Sequence, residues 1–229
     1  MYSLPQKLTA EFVGTFTLVF IGAGSICADH FLGGSVGLLG IAAASGLAYA
    51  VMVTALGHIS GAHLNPAVTV GFWVTRRFGT LDAICYGIAQ LLGATAAAYL
   101  IKVIIPDTIW AAVALGVPTL QPDFTRTRGM ALEAVLTFFL VFVFFATAVD
   151  ASGAFNKIAG FAIGLAVTMG TFFGGPFTGA AMNPARALGP ALAAPHWQNQ
   201  GVYWVGPLFG GMLAAFLYDR FFLGEQPPS

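Results

Sequence analysis

Two Asn-Pro-Ala tripeptides, 118 residues apart, are the segments of this chain whose residue types could act on a small molecule. Asparagine is a favoured helix N-cap and proline suits the first helical position, so each tripeptide predicts the start of a helix. A helix start carries the positive end of the helix dipole, and the asparagine amide adds a hydrogen-bond donor. Two such starts can guide a neutral polar molecule such as water while repelling cations. The six residues are Asn65, Pro66, Ala67, Asn183, Pro184 and Ala185.

Each tripeptide opens a short apolar segment, predicted as a half-length helix over residues 65–76 and 183–194. A helix needs about 20 apolar residues to cross a bilayer, so these segments do not cross it. The stretches before them, 60–63 and 178–181, are predicted to be non-helical, and their carbonyls then need water or protein donors. Such carbonyls form a ladder of acceptors leading to the asparagine donors, which suits a single file of water. The predicted pore carbonyls are those of Gly61, Ala62, His63, Gly179, Ala181 and Met182.

The composition predicts an all-α integral membrane protein. Of 229 residues, 58% are hydrophobic and only 8% are charged, whereas a soluble domain has roughly 25% charged residues. Lys plus Arg and Asp plus Glu both number 9, so no basic excess indicates a nucleic-acid partner. The two cysteines, Cys27 and Cys85, indicate neither a disulfide scaffold nor a metal site. Six stretches are long enough to cross a bilayer as helices: 8–28, 36–57, 80–104, 129–149, 157–174 and 201–222.

The chain contains two copies of one unit, within a single domain spanning residues 1–229. Segments 11–20 and 133–142 share seven of ten residues at an offset of 122, and the tripeptides match at an offset of 118. The repeats, approximately 8–104 and 129–222, hold three spans each. An odd number of spans makes the two copies insert in opposite orientations, so the two Asn-Pro-Ala starts are expected to face each other at the midplane.

Three charged residues, Glu11, Glu133 and Arg186, fall within or beside apolar segments and therefore need partners there. His58 and His63 are interpreted as hydrogen-bonded residues, because no Cys, Asp or Glu lies nearby at ligand spacing. No metal or cofactor is expected.

The distribution of basic residues predicts that both termini lie in the cytoplasm, with the chain in the cell membrane. Five basic residues fall on the side of the termini and three on the opposite side. The first group is Lys7, Arg76, Arg77, Lys157 and Arg220, and the second is Lys102, Arg126 and Arg128.

The sequence resembles the aquaporin, or major intrinsic protein, family over essentially its whole length. The resemblance rests on four segments: 57–69 and 178–186 around the tripeptides, the opening 10–15, and Tyr203-Trp-Val-Gly-Pro over 203–207. It implies six transmembrane helices plus two re-entrant half-helices, and a homotetramer in which each protomer has its own pore. It also implies that Glu11 and Glu133 brace the re-entrant loops and that Arg186 is the filter arginine.

The resemblance places the four filter positions on Ser45, Thr171, Ala180 and Arg186. Small side chains at three of them resemble the filters of plant channels that conduct silicic acid, boric acid or urea. Four other residues match the water-channel subgroup instead: Ala187, Ala191, Tyr203 and Trp204. Tyr49 lies one turn beyond Ser45, so its ring either enters the pore or packs between helices.

These observations predict a passive channel for water and small uncharged solutes such as glycerol, urea and metalloid hydroxides, which excludes protons and ions. The alternative is a secondary transporter, since inverted repeats with broken helices also build carriers. No ion-coupling cluster is visible, and neither are the groups that an enzyme would need. The longest loop, 106–128, could narrow the pore, but its position is not predicted.

Overall fold

The computed structural model describes residues 2–152 and 158–223, and all regular structure in these ranges is helical. A 3₁₀ turn, Ala114–Gly116, lies in the long loop, and a π-helical turn, Phe145–Val149, extends the sixth helix. The helices are α1 (Leu4–Phe31), α2 (Gly37–Ser60), α3 (Pro66–Val74), α4 (Thr80–Ile104), α5 (Asp107–Trp110), α6 (Arg126–Phe144), α7 (Ala159–Thr178), α8 (Pro184–Ala193) and α9 (Gln200–Phe221).

Six of these helices, α1, α2, α4, α6 with its π-helical turn, α7 and α9, are long and apolar enough to span a membrane. The predicted all-α fold is confirmed, and the predicted spans and half-helices begin and end within four residues of the observed ones. Lys157, the first residue of the predicted fifth span, lies outside the described residues. Helices α3 and α8 have 9 and 10 residues, which at a rise of about 1.5 Å per residue reach only about half-way through a bilayer.

The prediction that Ser60 and Thr178 are non-helical is wrong, because they are the last residues of α2 and α7. The residue that follows each helix is a glycine, Gly61 or Gly179, with φ angles of 85° and 82°. Glycine adopts this left-handed conformation without the Cβ clash of other residues, so it suits the position that follows a helix.

Both ends of the described chain lie on one face, which we call the terminal face; the opposite face is the distal face. The ring of Tyr2 packs edge-on against His58 near the end of α2, with 5.8 Å between ring centroids. Near the end of α9, Asp219 accepts a 2.6 Å hydrogen bond from Arg77, which follows α3. Helix α3 thus ends at the terminal face, whereas the last carbonyl of α8 is bonded by Lys102 at the end of α4, which has crossed to the distal face. The two half-helices therefore enter from opposite faces.

Helix packing joins the two sequence repeats. Within each repeat the first and third spans are neighbours, α1 with α4 and α6 with α9. Between repeats, α2 packs on α7, α3 packs on α9, and α8 packs on α4. Each half-helix is thus held mainly by the last span of the other repeat.

Two repeat-equivalent glycines, Gly93 on α4 and Gly210 on α9, allow close approach of α4 to α1 and of α9 to α6. A Cβ on Gly93 would overlap the backbone carbonyl of Phe12, and one on Gly210 would overlap that of Ala134. Small residues at such crossings let membrane helices pack backbone against backbone.

We expect Gly93→Ala to destabilise the protein by about 1–3 kcal/mol, because a backbone carbonyl must shift to admit the methyl group. Thermal unfolding in detergent should show a midpoint lowered by about 2–10 °C. The matched control is Gly87→Ala on the same helix, where a Cβ would meet no atom within 4 Å. Equal midpoints for the two variants would contradict the packing argument.

Candidate functional site

The two asparagines connect the half-helices to each other at the centre of the molecule. The side-chain oxygens of Asn65 and Asn183 accept hydrogen bonds from the backbone N–H two residues later, at 2.8 and 2.9 Å, and so cap α3 and α8. The amide nitrogen of Asn65 donates to the carbonyl of Met182 at 2.8 Å, and that of Asn183 donates to the carbonyl of Leu64 at 2.9 Å. Each asparagine therefore starts its own helix and holds the loop of the other repeat.

The loops that precede the asparagines, 61–64 and 179–182, have the same backbone conformation. The first, second and fourth residues of each loop have positive φ, with Leu64 at 53° and Met182 at 51°. A non-glycine residue in the left-handed region costs roughly 1–2 kcal/mol. The loops therefore need support from the rest of the molecule to hold this shape.

A buried carboxylate supplies that support in each repeat. In the first repeat, Oε1 of Glu11 accepts from the Ser60 hydroxyl at 2.7 Å and from the His63 N–H at 2.9 Å. Its Oε2 accepts from the Leu64 N–H at 2.7 Å and from the Gln90 amide at 2.8 Å. With its N–H groups held by the carboxylate, the loop leaves its carbonyls free to point elsewhere.

The second repeat has the same arrangement around Glu133. Its Oε1 accepts from the Thr178 hydroxyl at 2.7 Å and from the Ala181 N–H at 2.9 Å, and its Oε2 accepts from the Met182 N–H at 2.8 Å. Both carboxylates have no exposed surface. Bonds to a charged acceptor are the strongest class of hydrogen bond in proteins, which compensates for burial of the charge.

Sequence reasoning missed two tyrosines that extend this support. Tyr86 donates to the carbonyl of Ser60 at 2.8 Å, and Tyr203 donates to the carbonyl of Thr178 at 2.9 Å. These bonds satisfy carbonyls in the last turns of α2 and α7, which lack helical partners. The signal was present, because the two tyrosines are equivalent in the sequence repeat.

The predicted filter residues and both asparagines line one cavity on the distal side, of about 50 Å³. This volume is the space open to the centre of a water molecule. One water needs about 10–15 Å³ of such space, so the cavity has room for a few waters. From the first half of the chain it is lined by Leu18, Gly22, Ile26, Ile41, Ser45, Tyr49 and Asn65, and from the second by Leu140, Val167, Thr171, Gly179, Ala180, Ala181, Met182, Asn183 and Arg186.

The long loop, residues 106–128, whose position was not predicted, bonds Arg186 at the distal end of this cavity. Arg186, on the first turn of α8, donates through Nη1 to the carbonyl of Gly116 at 2.7 Å. Gly116 has φ of 67° and packs against Ala23 of α1. Farther along, the Gln121 N–H donates to the carbonyl of Phe177 at 3.1 Å. The loop thus fixes the guanidinium of Arg186 at the edge of the distal cavity.

A second cavity of about 390 Å³ lies on the terminal side, and its lining includes Val53, Gly57, His58, Gly61 and Phe144. The predicted pore-carbonyl residues divide between the two cavities. Gly61 lines the terminal one, and Gly179, Ala181 and Met182 line the distal one. Ala62 and His63 are buried.

Two of the predicted pore carbonyls accept hydrogen bonds from the protein itself. Asn65 donates to the carbonyl of Met182, as described above, and the Tyr49 hydroxyl donates to the carbonyl of His63 at 2.6 Å. The sequence left open whether the Tyr49 ring enters the pore or packs between helices. Its side chain does both, because it lines the distal cavity and makes a buried hydrogen bond.

The two cavities and the asparagines between them form what we call the passage, and its distal part has a positive electrostatic character. The N-terminal ends of α3 and α8 and the guanidinium of Arg186 lie at the distal cavity, whereas Glu11 and Glu133 are bonded to the outer, N–H side of the loops. In residues 2–152 and 158–223, no group of three His, Cys, Asp or Glu residues could hold a metal ion. The site can therefore orient a neutral polar molecule and repel a cation.

Known proteins share this sequence and this architecture. The family model for "Major intrinsic protein" matches residues 2–218. Aquaporin TIP4-4 of Zea mays is 44% identical over 227 residues, covering 96% of this chain and 88% of the relative. The lens fiber major intrinsic protein of Oryctolagus cuniculus is 43% identical over 215 residues, covering 93% and 80%. The X-ray structure of the aquaglyceroporin from Plasmodium falciparum superposes with a TM-score of 0.84 at 26% identity, covering 96% of this chain and 97% of that chain.

We expect Glu133→Gln to weaken the second loop, because one oxygen that accepts hydrogen bonds becomes an NH₂ group facing N–H donors. An unpaired buried donor costs about 1–3 kcal/mol, so the unfolding midpoint in detergent should fall by about 2–10 °C. The control is Asp123→Asn, which removes an exposed carboxylate from the long loop. If both variants unfold at the wild-type temperature, Glu133 does not hold the loop.

Proposed function

Because the chain belongs to the major intrinsic protein family, it is a multi-pass membrane channel for water and small solutes, and we propose that the passage past Asn65 and Asn183 is its pore. The observation that carries this proposal is the convergence of both asparagines and Arg186 on one cavity. We propose passive flux and no enzymatic step.

Single-file passage follows from the arrangement of donors and acceptors. Each asparagine amide has two N–H donors and uses one on the opposite loop, which leaves the other for a molecule in the pore. Free carbonyls of the loops, such as that of Ala181 beside the distal cavity, offer acceptors along the path. A water that accepts from the asparagines must turn its own hydrogens toward these carbonyls on either side.

Exclusion of protons and cations follows from fixed positive charge at the narrow part of the pore. The two half-helix dipoles and Arg186 raise the energy of any cation there, which is the general account of aquaporin-type selectivity. We propose Ser45, Thr171, Ala180 and Arg186 as the filter, since all four line the distal cavity.

The solutes proposed besides water are glycerol, urea and undissociated metalloid hydroxides. Three small side chains in the filter support this range, and one structural relative is called an aquaglyceroporin. A secondary transporter is not favoured, because the carboxylates of both repeats are occupied by loop N–H groups rather than directed into the passage.

The location proposed is the cell membrane, with the terminal face in the cytoplasm. Arg77 lies on the terminal face, paired with Asp219, whereas Lys102 lies on the distal face and donates to the last-turn carbonyl of Ala193. The excess of basic residues on the terminal face supports this orientation. A homotetramer is proposed from the family resemblance.

The experiment that tests the function is light scattering from proteoliposomes. Shrinkage in an impermeant osmolyte measures water flux, and re-swelling in glycerol, urea or boric acid measures solute flux. We expect wild-type vesicles to shrink faster than empty ones, with a rate that neither saturates nor depends on an ion gradient. Shrinkage at the rate of empty vesicles would refute the channel, and flux that needs an ion gradient would indicate the transporter.

Arg186→Ala should keep the pore open to water but weaken its barrier to cations. We expect water flux within about threefold of wild type and a proton leak raised about tenfold, equivalent to about 1.4 kcal/mol of lost barrier. A pH-sensitive dye inside the vesicles measures the leak. The matched control is Arg128→Ala, an exposed arginine outside the passage. An unchanged proton leak in Arg186→Ala would show that this charge is not part of the barrier.

A further inference from the structure

The pore-facing side of α2 is a stripe of residues spaced four apart: Ile41, Ser45, Tyr49, Val53 and Gly57. The first three line the distal cavity, and the last two line the terminal cavity. Each step along the stripe is about 6 Å. The largest side chain of the stripe therefore lies where one cavity ends and the other begins.

The same level of the other repeat carries a much smaller side chain. At the offset of 118 that aligns the two tripeptides, Tyr49 corresponds to Val167, which also lines the distal cavity. The fold therefore accommodates an isopropyl group at this position in one repeat, and a hydroxylated ring occupies it in the other. The ring is an addition to the pore rather than a requirement of the architecture.

The ring is held in place by its hydroxyl. Tyr49 donates to the carbonyl of His63 at 2.6 Å, and the N–H of His63 is itself bonded to Glu11 at 2.9 Å. The imidazole of His63 is stacked on Phe72 with 4.3 Å between centroids, and Nδ1 lies 3.1 Å from the Thr69 hydroxyl. The group that anchors Tyr49 is thus held by its backbone and by its side chain, which restricts movement of the ring.

The hydroxyl also changes which acceptor is available to the single file of water, the His63 carbonyl or the Tyr49 oxygen. Its hydrogen is directed at the His63 carbonyl, so its oxygen has lone pairs left to accept a hydrogen bond. Tyr49 thus covers one carbonyl of the ladder and can present an acceptor of its own. A water molecule can donate to the Tyr49 oxygen in place of the His63 carbonyl. A bulkier solute must in addition fit past the ring.

We propose that Tyr49, and not the four-residue filter, sets the largest solute that passes. This inference rests on the proposed function, because it assumes that the cavity is part of the pore. Ser45, Thr171 and Ala180 contribute only small side chains to the distal cavity, whereas the larger Tyr49 ring lies between them and the terminal cavity. Water and compact planar solutes such as urea should pass faster than the bulkier polyols glycerol and erythritol.

The test compares Tyr49→Val with wild type in proteoliposomes, using water, urea, glycerol and the four-carbon polyol erythritol. Valine reproduces the side chain of the equivalent position, Val167, and should fold. We expect the ratio of glycerol to water permeability to rise about tenfold, corresponding to about 1.4 kcal/mol of barrier, and erythritol to enter only in the variant. Tyr49→Phe keeps the ring but removes the hydroxyl bond to His63, so we expect its glycerol-to-water ratio to lie between those of wild type and Tyr49→Val.

Tyr99→Val is the matched control, because Tyr99 is a half-exposed tyrosine on the outer side of α4. Size-exclusion chromatography in detergent checks folding, and Tyr49→Ile is a second variant if Tyr49→Val does not fold. Unchanged solute ratios in a folded Tyr49→Val or Tyr49→Ile would overturn the proposal and leave Tyr49 as a packing residue.

Wild type alone can also overturn the proposal, since entry of erythritol as fast as glycerol would show that no such limit exists. Failure of the channel itself has a different signature, because wild-type vesicles would then shrink no faster than empty ones.

Discussion

Backbone N–H groups inside a bilayer must find partners within the protein, and two segments of this chain are not helical at membrane depth. The segments 61–64 and 179–182 lack a helix ladder, and two buried carboxylates take its place. Glu11 and Glu133 accept the loop N–H groups from the outer side. Some of the loop carbonyls then accept from Tyr49 and the two asparagines, and the others are left for the passage. The polar path and the stability of the loops therefore have the same origin.

The asparagines complete this arrangement because each one serves both repeats. The dipole of a half-helix acts on the passage only if the helix starts beside it. The bonds from Asn65 to Met182 and from Asn183 to Leu64 hold the two helix starts next to each other. Neither repeat can form this centre alone. Packing of each half-helix on the last span of the other repeat has the same effect at larger scale.

The two repeats differ in the side chains at two equivalent positions near the centre of the molecule. Gln90 of the first repeat bonds both Glu11 and the Thr69 hydroxyl, at 2.8 and 3.0 Å, whereas its equivalent in the second repeat is Pro207. Tyr49 and Val167 differ in the same way at the midplane. The symmetric parts build the scaffold, and these two positions make the repeats differ in the bonds around the buried carboxylate and in the side chain that lines the distal cavity.

Sequence alone determined the six spans, the two half-helices and the repeat, because hydropathy, length and the Asn-Pro signature are local properties. It also identified Glu11, Glu133 and Arg186 as charges that need partners, since a charge among apolar residues is visible without coordinates. The particular groups that these charges bind, the position of the Gly116 carbonyl beside Arg186 and the bond from Tyr49 to His63 were decided only by tertiary structure. These contacts join residues far apart in the chain, and their geometry depends on how α1, α2 and the long loop pack, which no local pattern encodes.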